Sequence, residues 1–95
     1  MNETLKMYPK QHNDVASRVI DEEAIILTPN TGILHTLNPV GTRIWELANG
    51  KRTVSDIIQR IKTEFDADEK RIGEDVVDFI ESLIHKKMML LNEKS

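Results

Sequence analysis

Gly32-Ile-Leu-His-Thr-Leu-Asn-Pro-Val-Gly-Thr-Arg-Ile-Trp-Glu-Leu-Ala-Asn-Gly50 is the stretch on which the fold turns. Residues 33–37 read as a short strand that runs straight into a helix. Asn38 is suited to cap that helix, because its side-chain oxygen accepts a free N–H of the first turn. Pro39 falls at the first helical position, where a missing N–H costs nothing. Gly50 follows the last apolar residue and reads as a C-terminal stop. Trp45, the only Trp of the chain, lies in the middle, with Ile44, Leu47 and Ala48 around it. It is expected to anchor the core.

Upstream the pattern is extended. Val-Ala-Ser-Arg-Val-Ile (15–20) and Ala-Ile-Ile-Leu-Thr (24–28) read as strands around the acidic turn Asp21-Glu22-Glu23. Pro29-Asn30-Thr31-Gly32 has the chemistry of a tight turn. Three short strands joined tightly make an antiparallel meander. In the third, Ile33, His35 and Leu37 share one face, and Leu34 and Thr36 the other. As the last strand it is expected to have a free edge, which proteins either protect or use. His35 reads as a partly buried imidazole on the inner face or as a polar contact to a partner. Residues 1–14 are polar, contain Pro9 and show no period. They are expected to form a flexible arm, with Leu5, Met7 and Tyr8 available as anchors.

Downstream the pattern is helical. Val54, Ile57, Ile58, Ile61 and Phe65 fall on one stripe of a helix capped by Thr53. Asp66-Ala67-Asp68 breaks it, and Asp68 is suited to cap a third helix over residues 69–87. There Ile72, Val76, Phe79 and Leu83 share a narrow band. Val77, Ile80 and Ile84 lie some 80–140° round from Ile72, at about 100° per residue. The apolar arc is thus roughly 160° wide, against a stripe of about 100° for a helix that packs on one core. This helix either packs on two sides or keeps an apolar shoulder for a partner. Met-Met-Leu-Leu (88–91) is expected to fold back onto the domain, and 92–95 to fray. The layout is β-β-β-α-α-α, an α+β domain with helices on one face of a small antiparallel sheet and a likeness to a winged helix-turn-helix.

Composition narrows the function. Ninety-five residues make one domain. With no Cys there are no disulfides, thiol nucleophiles or Cys-based metal sites. No apolar run is long enough to cross a membrane, and the N-terminus lacks a signal-peptide pattern, so a cytoplasmic protein is expected. A net charge of −3 weighs against a primary role on nucleic acid. Signals of catalysis are absent. His12, His35 and His85 are far apart and form no ligand pair at helical spacing. The four Gly never cluster into a phosphate-cradling loop. A calcium loop starting at Asp66 fails, because its sixth position is Arg71 and its twelfth Val77. Neither metal nor cofactor is expected, and the chain is read as a binding protein.

The words Leu37-Asn38-x-x-Gly41-x-x-Ile44-Trp45-x-Leu47, Gly50-x-x-Thr53-Val54-x-x-Ile57, Phe65-Asp66 and Asp75-Val76-x-x-Phe79-x-x-Leu83 resemble the PqqD family over residues 15–91. The resemblance implies a non-catalytic recognition element for ribosomally made, post-translationally modified peptides. Such proteins bind the leader of a precursor peptide and present it to a modifying enzyme, either a radical S-adenosylmethionine enzyme or a leader protease with its cyclase. In the family the leader pairs beside the third strand and packs on the third helix. Carried over, this implies a site of Ile33, Leu34, His35, Thr36 and Leu37 with Val76, Val77, Ile80 and Ile84. His35 departs from the family, where an aromatic is frequent.

Two expectations from another direction stand beside this one. A winged-helix DNA-binding domain would use Arg60, Lys62, Lys70 and Arg71 on phosphates, against the carboxylates Glu74, Asp75, Asp78 and Glu81 of the third helix. An open strand edge also allows either a monomer or a strand-exchanged dimer.

Overall fold

The structure is a computed structural model and describes residues 3–28, 31–66 and 68–94. After a short 3-10 turn at Glu3–Lys6, the elements are β1 (Tyr8–Gln11), β2 (Ala16–Ile20), β3 (Glu23–Thr28), β4 (Ile33–Thr36), α1 (Pro39–Leu47), α2 (Val54–Phe65), α3 (Glu69–His85) and β5 (Met89–Asn92). Strands β2, β3 and β4 form the expected antiparallel meander in that order, and three helices follow. This is the α+β architecture read from the sequence.

Each junction has a local cause. Asp21 and Glu22 close the β2–β3 hairpin with φ of 50° and 65°, the sign that a two-residue hairpin loop of matching twist requires. Asn38 caps α1 by accepting from the Gly41 N–H at 2.7 Å. Thr53 and Asp56 form a reciprocal capping box on α2. Asp66, at φ 51°, ends α2 in a left-handed conformation, and Asp68 caps α3. Of the loop 29–32, Pro29 and Asn30 lie outside the described residues; Gly32 has a φ of 68°.

Residues 8–11, expected within a flexible arm, instead form β1, paired antiparallel with β5 so that Tyr8 faces Asn92 and Gln11 faces Met89. The apolar tail folds back as expected, but as a strand, and the arm supplies its partner. Buried Met88 and Met89 leave backbone groups beside them that need bonding partners, and a second strand supplies them. Gly50 also has a different role. The helix stops at Leu47 with Ala48 as its cap. Gly50, at φ 83°, turns the chain so that its N–H reaches the Pro9 carbonyl at 2.9 Å.

The core lies between the inner face of the meander and the helices. Ala24 and Ile26 of β3 meet Ile44, Trp45 and Leu47 of α1, Ile57 and Ile61 of α2, and Val76, Ile80 and Leu83 of α3. Trp45 is buried, and its indole N–H donates to Ser17 Oγ at 3.3 Å, which ties α1 to β2. Buried Thr42 acts as a second tie. Its hydroxyl accepts from the Ala24 N–H at 2.7 Å and donates to the Leu37 carbonyl at 3.2 Å. Outside the core, Arg43 clasps Glu64 of α2 at 2.8 and 3.1 Å, and Arg60 joins the same carboxylate.

Candidate functional site

β4 is an edge strand. It pairs with β3 on one side, with His35 opposite Ile26 and Leu34 opposite Leu27. Its other side has no strand among the described residues. The Leu37 N–H donates to the Ala24 carbonyl at 2.9 Å, and hydrogen-bonded positions alternate along an antiparallel pair. Ile33 and His35 therefore turn their backbone groups to β3. Leu34 and Thr36 turn theirs, two N–H and two C=O, to the open edge. Four hydrogen bonds made there are worth about 2–6 kcal/mol.

Side chains follow the opposite rule. Ile33, His35 and Leu37 stand over the inner face, across from Thr28, Ile26 and Ala24. Leu34 points to the outer face beside Leu27, 65% exposed. Two hollows lie end to end on the inner side of β4, each of a size that takes part of an extended peptide or a small ligand. The first, of about 340 Å³, is lined by Ile33 and His35 with His12, Val15 and the lysines that follow α3, Lys86 and Lys87. The second, of about 330 Å³, lies between Thr36–Asn38, Val40 and Ile44 of α1, and Ile72, Asp75, Val76 and Phe79 of α3. Together they make a cleft along the strand, basic at one end and apolar at the other.

The α3 wall of this cleft differs from the expected shoulder. Ile80 is 0% exposed and lines neither hollow, so it belongs to the core; Val76, 1% exposed, is a core residue that also lines the second hollow. Ile80 is drawn inward because the buried stripe runs through Ile72, Val76, Ile80 and Leu83, centred closer to Ile80 than the sequence pattern suggested. Val77 and Ile84 are half-buried, about 140–160° round the helix from Phe79. Phe79 carries the cleft instead. Its ring lies against α1 so tightly that a Cβ on Gly41 would come within 3.0 Å of the ring carbon Cζ. Phe79 was legible as an apolar position in one band with Ile72, Val76 and Leu83. His12 was hidden in the supposed arm, and Lys86 and Lys87 stand at the end of α3, where cations suit the helix dipole in any case.

No three His, Asp or Glu side chains among the described residues come together as a metal-binding group. No described helix is long and apolar enough to cross a membrane. Of the cations considered for DNA, Arg60 is engaged with Glu64. The outer surface of α3 presents Glu74, Asp75, Asp78 and Glu81 as exposed residues, which repel phosphate.

The family model of coenzyme PQQ synthesis protein D (PqqD) matches residues 23–89. The chain belongs to the PqqD family. The matched span takes in β3, β4, all three helices and the start of β5, and so includes both walls of the apolar hollow. Among solved structures, this PqqD-family chain is similar to TbiB1, determined in complex with the TbiA(beta) leader peptide. The two share 31% identity at a TM-score of 0.77, over 84% of this chain and 93% of that one. A lasso peptide synthetase B1 complexed with the leader peptide shares the fold at 17% identity and a TM-score of 0.77, over 87% and 98% of the two chains. So does the solution NMR structure of the PqqD truncation of Methylobacterium extorquens PqqCD, which represents a stand-alone recognition element for ribosomally synthesized and post-translationally modified peptides. It matches at 23% identity and a TM-score of 0.69, over 95% and 99% of the chains. No curated protein matches the chain.

Proposed function

We propose that this chain is a recognition element that binds the leader of a ribosomally made precursor peptide as an added strand on β4 and presents it to a modifying enzyme. The observation that carries this is the open β4 edge running beside a cleft. Backbone groups of Leu34 and Thr36 are turned outward, and pockets are spaced along the same strand for alternate side chains. Strand addition of this kind takes affinity from main-chain hydrogen bonds and specificity from alternate side chains. Membership of the PqqD family and the likeness to TbiB1, itself bound to a leader peptide, support the same reading.

The proposed site is Ile33 to Leu37, with Phe79, Val40 and the exposed edge of Ile72 as its apolar wall. Val76 lines the same hollow, and Ile80 supports it from the core. The chain performs no chemistry of its own in this account. Its enzyme partner is a radical S-adenosylmethionine enzyme or a leader protease with its cyclase. About 2–6 kcal/mol from edge hydrogen bonds, with apolar side chains worth about 1.5–3 kcal/mol each when buried, is offset by the ordering of the leader. The expected affinity is nanomolar to micromolar, about −8 to −12 kcal/mol.

Titration calorimetry with the precursor peptide encoded beside the gene tests this. Binding that survives deletion of the precursor's core and disappears with its leader is the expected result. A chain that binds the modifying enzyme but not the leader would instead be a structural subunit, and the proposal would fail.

A further inference from the structure

The basic end of the cleft is built from three separate parts of the chain. His12 precedes β2, and its backbone N–H donates to the Met88 carbonyl at 3.0 Å, which pins it beside the end of α3. His35 comes from β4. Lys86 and Lys87 follow α3, and the Lys87 φ of 62° turns the chain there. All four side chains line one hollow, with Asp14 as its only carboxylate among the described residues. That Asp14 is local to His12: its N–H donates to His12 Nδ1 at 3.1 Å, which leaves the ring proton on Nε2 as a donor. Neither lysine is in an ion pair among the described residues. A concentration of donors in a chain of net charge −3 is more than a helix end requires, since the two histidines belong to other elements.

We infer that the bound peptide carries an Asp or Glu side chain held by His12, His35, Lys86 and Lys87, at an even spacing from an apolar side chain seated against Phe79. This rests on the reading of β4 as the peptide-pairing edge. The even spacing follows from geometry. Ile33, His35 and Leu37 share a face, so an added strand also sends every second side chain into the cleft. A carboxylate opposite Ile33 or His35 and an apolar group opposite Leu37 are then two or four residues apart. A carboxylate is the match because it is the anionic group of a ribosomally made peptide before modification, and such a group accepts several N–H donors at once.

The test is selection from a displayed random twelve-residue peptide library on the full chain, with the selected peptides checked by amide signals of β4. The expected result is enrichment of Asp or Glu two or four residues from a large apolar residue. Lys86→Glu/Lys87→Glu should weaken those peptides about tenfold or more and select Lys or Arg in place of the acid. Lys86→Gln/Lys87→Gln, which places no new negative charge at the helix end, should abolish the acid preference alone. Enriched peptides that move the β4 signals but show no acid preference overturn this inference and leave the proposed function standing. Failure of both the library and the gene-adjacent precursor to move those signals overturns both.

Discussion

β1 and β4 are both four-residue edge strands, and they end up in opposite states. The outer side of β1 is covered by the chain itself. The Gln11 N–H reaches the Ala48 carbonyl at 3.2 Å, the Pro9 carbonyl accepts from Gly50, and Met7 accepts from Val54. The outer side of β4 faces no strand among the described residues, although its inner side is tied down by Thr42 and the α1 cap. The same backbone donors and acceptors are thus spent on folding at one edge and kept available at the other. An edge strand left open on a well-fixed strand is a hazard unless something pairs with it. On the function proposed above, β4 is the binding edge and β1 a stabilising one.

The contrast breaks first in the core that both regions share. Ile80→Glu puts a carboxylate where no surface is exposed. It should remove about 3–5 kcal/mol or more of stability, enough to unfold a domain of this size, and circular dichroism will show it. If this variant stays folded and merely loses peptide binding, Ile80 belongs to the site after all. Next comes proline at each edge. Gln11→Pro removes the bond to Ala48 and the side-chain bond from Gln11 Nε2 to the Trp45 carbonyl at 2.8 Å. A loss of about 2–4 kcal/mol in urea unfolding is expected. Leu34→Pro removes an N–H that β3 does not use, and proline is tolerated on such edges. It should change stability by about 1 kcal/mol or less and weaken leader binding about tenfold or more, equivalent to about 1.4 kcal/mol.

Smaller effects separate the two flanks of α3. Phe79→Ala should weaken leader binding by about 1–2 kcal/mol as the apolar hollow loses its wall, whereas Val77→Ala should leave binding unchanged and cost only packing. Calorimetry on the two variants decides which flank is used. The smallest effect is electrostatic. The Arg43 hydrogen bond, aided by Arg60 and opposed by burial, holds the Glu64 carboxyl below the usual carboxylate range. A lowered folded-state value means that this clasp stabilises the protein above the ordinary Glu range and is lost as pH falls through the lowered value. Arg43 stays charged throughout, so it adds no pH dependence of its own. Thermal melts of Glu64→Gln and the parent should differ near neutral pH and converge in acid.

Much of this is legible in the sequence. The caps Asn38, Thr53 and Asp68, the anchor Trp45 and the meander with its final edge strand all follow from local chemistry, which acts within a few residues. The β1–β5 ribbon did not follow, because Tyr8–Gln11 has no periodic pattern and becomes a strand only through partners some eighty residues away. The burial of Ile80 did not follow, for a related reason. Periodicity gave the width of the apolar arc but not its rotation, and tertiary packing turned Ile80 inward and Phe79 toward the cleft. The β4 edge and its alternation were legible because strand alternation is a local rule. That His12, Lys86 and Lys87 line one hollow with His35 was not legible, because the four meet only in three dimensions.

The central claim is that β4 pairs with a peptide strand through Leu34 and Thr36. Hydrogen exchange of these two amides, measured with and without a leader peptide that binds, tests it most directly. The account predicts that both exchange quickly in the free protein and become protected together in the complex, while His35, already bonded to β3, changes little. A tight complex in which Leu34 and Thr36 keep exchanging as they do in the free protein would contradict it.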